Sequence, residues 1–119
     1  MSVRRLTTSN YQEIFTFVGE SPSILKYVGE RLALIEFYAD WCTECHEVAS
    51  SLEELSEEFA DRIDTYKVDV EKDEVLPFLF NIYILPTFLF ITVHSELLSI
   101  EGALPKPDLK RSIEKLLSK

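Results

Sequence analysis

This sequence is poor in cysteine, short of basic residues and without any long apolar run, and each deficit removes a class of function. Its two cysteines both fall inside one Cys-x-x-Cys, which excludes the disulfide framework that braces small secreted domains. Twelve Lys and Arg stand against 21 Asp and Glu, for a formal net charge of -9. A chain so acidic lacks the cations that neutralise phosphates, so nucleic-acid binding is disfavoured. No stretch approaches the roughly 20 apolar residues of a bilayer-spanning helix. The first twenty residues, Arg4 and Arg5 among them, hold no apolar segment of signal-peptide length. A soluble, cytoplasmic protein without a membrane partner is expected. Linkers, repeats and low-complexity segments are also missing, and 119 residues at 46% hydrophobic suffice for one core but not two. The acidic stretch from Glu53 to Glu74 reads as a solvated helix face.

What is present is concentrated in Trp41-Cys42-Thr43-Glu44-Cys45. Upstream, Leu32–Tyr38 reads as a mostly buried strand; downstream, Val48, Leu52, Leu55 and Phe59 recur at helical spacing. The cysteines therefore open a helix, expected from about Cys42 to Phe59. Residues three apart on a helix are surface neighbours, within the Cα separation that a disulfide needs. Free N–H groups and the positive dipole end at the helix start favour a thiolate on the first cysteine over the second. Cys42 is thus the expected nucleophile and Cys45 the resolving thiol, and the implied chemistry is dithiol–disulfide exchange.

Other elements follow from local signals. Val3 to Leu6 suits a short edge strand, and Ser9-Asn10-Tyr11-Gln12 has the form of a capping box ahead of Ile14, Phe15 and Val18. Ser21-Pro22 resembles a second helix start, with Ile24, Leu25 and Val28 as its apolar face and Gly29 as its stop. A strand near Thr65–Val70, a short helix near Glu74–Phe80, a buried strand over Thr87–Val93 and an antiparallel partner at Leu97–Ile100 come next, with His94-Ser95-Glu96 as the turn. Leu109, Ile113, Leu116 and Leu117 form the stripe of a C-terminal helix beginning at Pro107 or Asp108. The order β-α-α-β-α-β-α-β-β-α places the chain in the α/β class, a sheet covered by helices on both sides.

Four separated segments resemble the thioredoxin family from about Leu32 onward. Ala39-Asp40-Trp41-Cys42-Thr43-Glu44-Cys45 is similar to its active-site segment, and Ile84-Leu85-Pro86-Thr87 to its cis-proline loop opposite the cysteines. Lys67-Val68-Asp69 is similar to the strand after the active-site helix, and Gly102-Ala103-Leu104 to the bend before the last helix. The resemblance implies a thioredoxin fold, with a central mixed sheet and helices on both faces. It implies one domain over residues 1–119 with a longer N-terminal helical region before the Leu32 strand. It also implies a protein-disulfide reductase acting in electron transport and cell redox homeostasis, without a cofactor or metal. Its partners would be protein disulfide substrates and an electron donor like thioredoxin reductase.

Residue roles come with the resemblance. Trp41 would line the substrate-facing rim, and Leu85, Pro86 and Thr87 would meet an extended client chain. Thr43-Glu44 replaces the family's Gly-Pro between the cysteines, and Glu36 replaces its buried aspartate. A desolvated Glu36 with a raised pKa would accept the proton of Cys45, with Lys67 as its charge partner, unless Glu36 simply points to solvent. Glu44 would repel the Cys42 thiolate by less than a pKa unit and favour a more reducing couple. Tyr38, Phe78 and Phe80 are read as core, and Asp40 as surface.

Three rivals stand beside this reading. Cys42-x-x-Cys45-His46 is also the form used for covalent c-type haem attachment, with Met1 or His94 left to serve as a second axial ligand. Cys42, Cys45, His46 and His94 are nominally enough for zinc, and the Cys pair of two chains could share an iron–sulfur cluster. A binding module of the same fold whose cysteines no longer cycle is the third.

Overall fold

The computed structural model describes residues 3–20 and 24–118; Met1 and the Ser21-Pro22 helix start lie outside the described residues. Strand β4 (Leu32–Tyr38) is central, and six of its seven residues are buried. It pairs in parallel with β5 (Ile63–Asp69) on one side and antiparallel with β6 (Thr87–Ile91) on the other. A strand flanked on both edges and covered on both faces needs a nearly continuous apolar run, and Leu32–Tyr38 supplies one. β1 (Val3–Arg5) joins β5 in parallel, and β7 (Leu97–Glu101) joins β6 antiparallel, giving the order β1-β5-β4-β6-β7.

The two-residue period of β4 sends Leu32, Leu34 and Glu36 to one face and Ala33, Ile35 and Phe37 to the other. On the first face, helix α1 (Thr43–Glu58) packs Val48, Leu52 and Leu55, with Phe59 just past its end, against Leu32 and Leu34. Helix α3 (Lys106–Leu117) adds Leu109 and Ile113 to that cluster. Each such apolar side chain contributes about 1.5–3 kcal/mol when buried. The second face is covered by the short helix α2 (Val75–Leu79), through Leu76, and by Phe15 and Tyr27. Glu36 therefore lies on the α1 side of the sheet because of its parity on β4.

Among the described residues the N-terminal helical region is not formed. Asn10 spends its side chain locally, its Oδ1 accepting the Thr7 N–H at 2.8 Å and its Nδ2 donating to the Arg5 carbonyl at 3.0 Å. A single 3-10 turn follows, at Tyr11–Glu13, with no side-chain cap among the described residues. The chain then runs as β2 (Phe15–Val18) and returns as β3 (Ile24–Tyr27), an antiparallel hairpin in which Phe15 faces Tyr27 and Val18 faces Ile24. Aromatic and β-branched residues suit this pleated arrangement better than a helix. Gly29 does not stop a helix. A Cβ there would fall 2.1 Å from the Tyr27 hydroxyl, which donates to the Arg31 carbonyl at 2.6 Å, so glycine makes room for a buried ring.

Asp73 fastens the N-terminal segment to α2. Its carboxylate accepts the Thr8 hydroxyl at 2.7 Å, the Thr8 N–H, and the N–H groups of Val75 and Leu76 at 3.1 Å each. Burial works to raise its pKa, but hydrogen bonds from Thr8, Leu76 and Val75 outweigh it and hold the carboxyl below its ordinary value. The stabilisation is present above the unfolded value of 3.8 and is lost as pH falls through the lower folded value. Asp73→Ala is expected to cost about 1–3 kcal/mol at pH 7. Urea denaturation should show that deficit shrinking toward pH 3.

Candidate active site

The site is built where β4 ends and α1 begins. Cys42 is extended (φ -85°, ψ 103°) and caps the helix, its Sγ accepting the Cys45 N–H at 3.1 Å. Cys45, one turn in, forms a disulfide with it across a Cα–Cα separation of 5.3 Å. Ala39, Tyr38, Val70 and Leu85 pack around the pair. Both cysteines are buried, and Cys42 caps the helix while Cys45 lies one turn further in. A thiolate at Cys42 would hold that same N–H bond in its stronger, charge-assisted form, at the positive end of α1.

Glu36 lies under the start of α1 and does not point to solvent. It is buried, and its Oε2 has no hydrogen-bond partner among the described residues. Burial pushes its pKa up from 4.5 to about 7, and the Lys67 ammonium opposes part of that rise. Lys67 is the cross-strand neighbour of Glu36 on β5. It makes no salt bridge with Glu36 among the described residues, and its Nζ stands 6.0 Å from the centroid of the Tyr38 ring. A cavity of about 300 Å³ brings Glu36, Lys67, Arg5 and His46 together with Cys45. Such a space joins the buried carboxyl to the resolving cysteine and has room for a bridging water.

The proline loop closes the site from the other side. The Leu85–Pro86 peptide is cis, and the Pro86 carbonyl accepts the N–H of Gly102, whose φ of 94° explains why glycine stands at that bend. Leu85 packs against the cysteines, whereas Pro86 is buried. Thr87 is buried too and donates its hydroxyl to the Ile84 carbonyl, so its side chain shapes the loop rather than facing a client. Trp41 is 67% exposed beside the disulfide.

Other expectations divide. Tyr38 is half-buried against the cysteine cluster, Asp40 is exposed, and Phe80 packs with Phe15 and Phe37. Phe78 is not core: five-residue α2 turns Leu76 and Leu79 inward, which leaves Phe78 81% exposed. The four nominal zinc ligands do not come together. His46 is exposed, with its Nε2 2.6 Å from the Asp40 carbonyl, and His94 sits in the β6–β7 turn, beyond the β4 end opposite the cysteines. Seven strand residues separate those ends by about 20 Å. Among the described residues no three His, Cys, Asp or Glu side chains are placed to share a metal, and no described helix is long and apolar enough to cross a membrane.

Comparison with known proteins agrees with this geometry. The family model described as Thioredoxin matches residues 6–115. The chain belongs to the thioredoxin family. It is 42% identical over 65 residues to a thioredoxin of Borreliella burgdorferi, a match covering 55% of this chain and 56% of that one. It is 29% identical over 100 residues to a thiol:disulfide interchange protein of Synechococcus elongatus, covering 82% and 52% respectively. The chain spans about half the length of the curated relatives it matches. Its structure superposes on chloroplastic thioredoxin z with a TM-score of 0.81 at 21% identity, covering 100% of this chain and 97% of the other, which establishes the thioredoxin fold. In thioredoxin terms, the parts that the sequence left unassigned are Arg5 beside the Glu36 cavity, where His46 also sits, and the exposed Tyr83 ahead of the proline loop. The unusual apolar pair Tyr83-Ile84 immediately before Leu85-Pro86 was the available signal.

Proposed function

We propose that this thioredoxin-family chain is a protein-disulfide reductase that works by dithiol–disulfide exchange. The observation that carries the reading is Cys42 Sγ at the cap of α1, bonded to the Cys45 N–H. In the reduced protein, the Cys42 thiolate attacks one sulfur of a client disulfide, and the other client sulfur leaves as a thiolate that takes up a proton. Cys45 then gives its proton to Glu36 through the shared cavity and attacks Cys42 Sγ, releasing the second client thiolate. Two electrons pass to the client, and Cys42–Cys45 is left oxidised for an electron donor like thioredoxin reductase. Lys67 moderates the ionisation of Glu36, Trp41 and Leu85 receive the client, and Pro86 and Thr87 hold the loop that presents Leu85. A cytoplasmic setting belongs to the same proposal, because a reducing poise keeps the pair in its working form.

Insulin-disulfide reduction, with and without a thioredoxin reductase, tests the function: turnover supports it, and no turnover with a cleanly reduced chain leaves a non-cycling module. Glu44, exposed between the cysteines, sets the sign of a second test. Removing its charge by Glu44→Gln relieves the thiolate and should make the couple more oxidising, by less than about 30 mV, the equivalent of one pKa unit. Glutathione redox titration reads this directly, and an unchanged or lower potential refutes the sign.

A further inference from the structure

The two edges of the five-stranded sheet differ in how they are protected. β1 offers three residues, of which Arg4 and Arg5 are exposed and charged. β7 offers Leu97-Leu98-Ser99-Ile100-Glu101 in one-to-one register with β6, without the Lys, Pro or bulge by which natural sheets keep an edge from pairing. Among the described residues nothing pairs with its outer side. Leu97 is 59% and Leu98 44% exposed there.

The ladder fixes which backbone groups face outward. Thr92 donates its N–H to the Glu96 carbonyl, and Gly102 donates its N–H to the Pro86 carbonyl. By the alternation of an antiparallel pair, Leu98 and Ile100 turn their N–H and C=O groups to β6, and Leu97, Ser99 and Glu101 turn theirs outward. Leu97 shares a face with Ile91 and lines, with Leu25 and Tyr27 of the hairpin, an apolar cavity of about 100 Å³. Leu98 shares the opposite face with Ile100. Glu101 is exposed at the end of the strand and forms no salt bridge among the described residues. At the other end Glu96 shares a cavity with Arg31 and Arg62, so the unopposed charge on this edge is that of Glu101.

We propose that β7 is a docking edge that takes an extended segment of another protein as a sixth, antiparallel strand, with apolar residues opposite Leu97, Leu98 and Ile100 and Lys or Arg opposite Glu101. The outward backbone groups hold the segment, the two leucines and the hairpin cavity favour apolar side chains, and Glu101 selects the cation. A second copy of this chain fits less well. Paired about Ser99, it sets each Glu101 against the other copy's Leu97 and joins two chains of net charge -9. Five paired residues make a small and therefore transient contact.

A capped peptide Lys-Val-Thr-Val-Val, whose lysine falls opposite Glu101, and its Glu-Val-Thr-Val-Val counterpart test this by amide hydrogen exchange and chemical-shift titration in NMR. With the Lys peptide the Leu97, Ser99 and Glu101 amides should gain protection, those of Trp41 and Cys42 should not, and the oxidised and reduced chains should respond alike. The Lys peptide should bind about fivefold tighter than the Glu peptide at low salt, and Glu101→Lys should reverse that order. Ser99→Pro removes one outward N–H without touching the β6 bonds and should weaken binding about tenfold or more. N-methylation of the peptide threonine, which leaves the protein unaltered, should do the same. Protection absent from the three outward amides, equal binding of the two peptides, or indifference to N-methylation overturns the proposal. So does self-association of the peptide-free chain that protects the same amides, which would assign the edge to a second copy.

Discussion

Cys42→Ser should abolish insulin-disulfide reduction, on the order of 10³-fold or more, because the remaining thiol, Cys45, lies one turn deeper and lacks the helix-cap position that ionises Cys42. Cys45→Ser should behave differently. Its Cys42 still attacks, so one client equivalent accumulates as a stable adduct and turnover stops there. Intact-mass measurement after mixing with a disulfide client distinguishes the two: no adduct for the first variant, one for the second. If the adduct instead forms through Cys45, the assignment of roles from the helix cap is reversed. The clients trapped by Cys45→Ser can then be identified.

Glu36→Gln should slow resolution of the mixed disulfide by about 10²-fold near pH 7 with the first exchange little changed, the scale of lost general-base catalysis. In the wild-type chain the resolution rate should rise as Glu36 ionises, with a midpoint near its folded pKa of about 7, and the variant should lose that dependence. Single-turnover kinetics across pH, started from the preformed mixed disulfide, make the comparison, and identical profiles refute the base role. Stability should move the opposite way. Between 4.5 and about 7 the folded state holds a proton that the unfolded state has released, so stability is full below that window and falls as pH rises through it. Above pH 7 the buried, unpartnered carboxylate costs up to about 3 kcal/mol. Glu36→Gln should remove that slope, matching the wild type near pH 4 and exceeding it at pH 8.

This trade accounts for a buried acid on an otherwise apolar strand. Leu32, Leu34 and Glu36 share one face of β4, and the first two are packed by α1 and α3. An apolar residue at position 36 would continue that packing without an orphaned oxygen, at a gain in stability. The carboxyl makes sense at this position because α1 starts directly above it, with Cys45 facing the same cavity.

The legible part of the chain was the part where several local signals agree. Leu32–Tyr38 is apolar apart from Glu36 because it is buried on both faces, and the α1 stripe of Val48, Leu52 and Leu55 is periodic because one side meets the sheet. Cys42-x-x-Cys45 falls at their junction. The N-terminal hairpin was misread because Ser9-x-x-Gln12 is a short-range signal, whereas the need to cover Ala33, Ile35 and Phe37 is a property of the whole sheet. Phe15 and Tyr27 meet that need as a cross-strand pair, which no helical period records. Phe78 failed for a related reason. Hydrophobicity does not say which side of a five-residue helix faces in, and a threonine next to the client loop looks the same whether its hydroxyl turns outward or, as here, caps the Ile84 carbonyl.

The most direct measurement is the pH dependence of iodoacetamide alkylation of the fully reduced chain, with the modified cysteine located by peptide mapping. Cys42 should react first, with a midpoint clearly below the roughly 8.5 of a free thiol, while Cys45 stays protected. A midpoint at or above that value, or alkylation of Cys45 ahead of Cys42, would contradict a thiolate held at the N-terminus of α1.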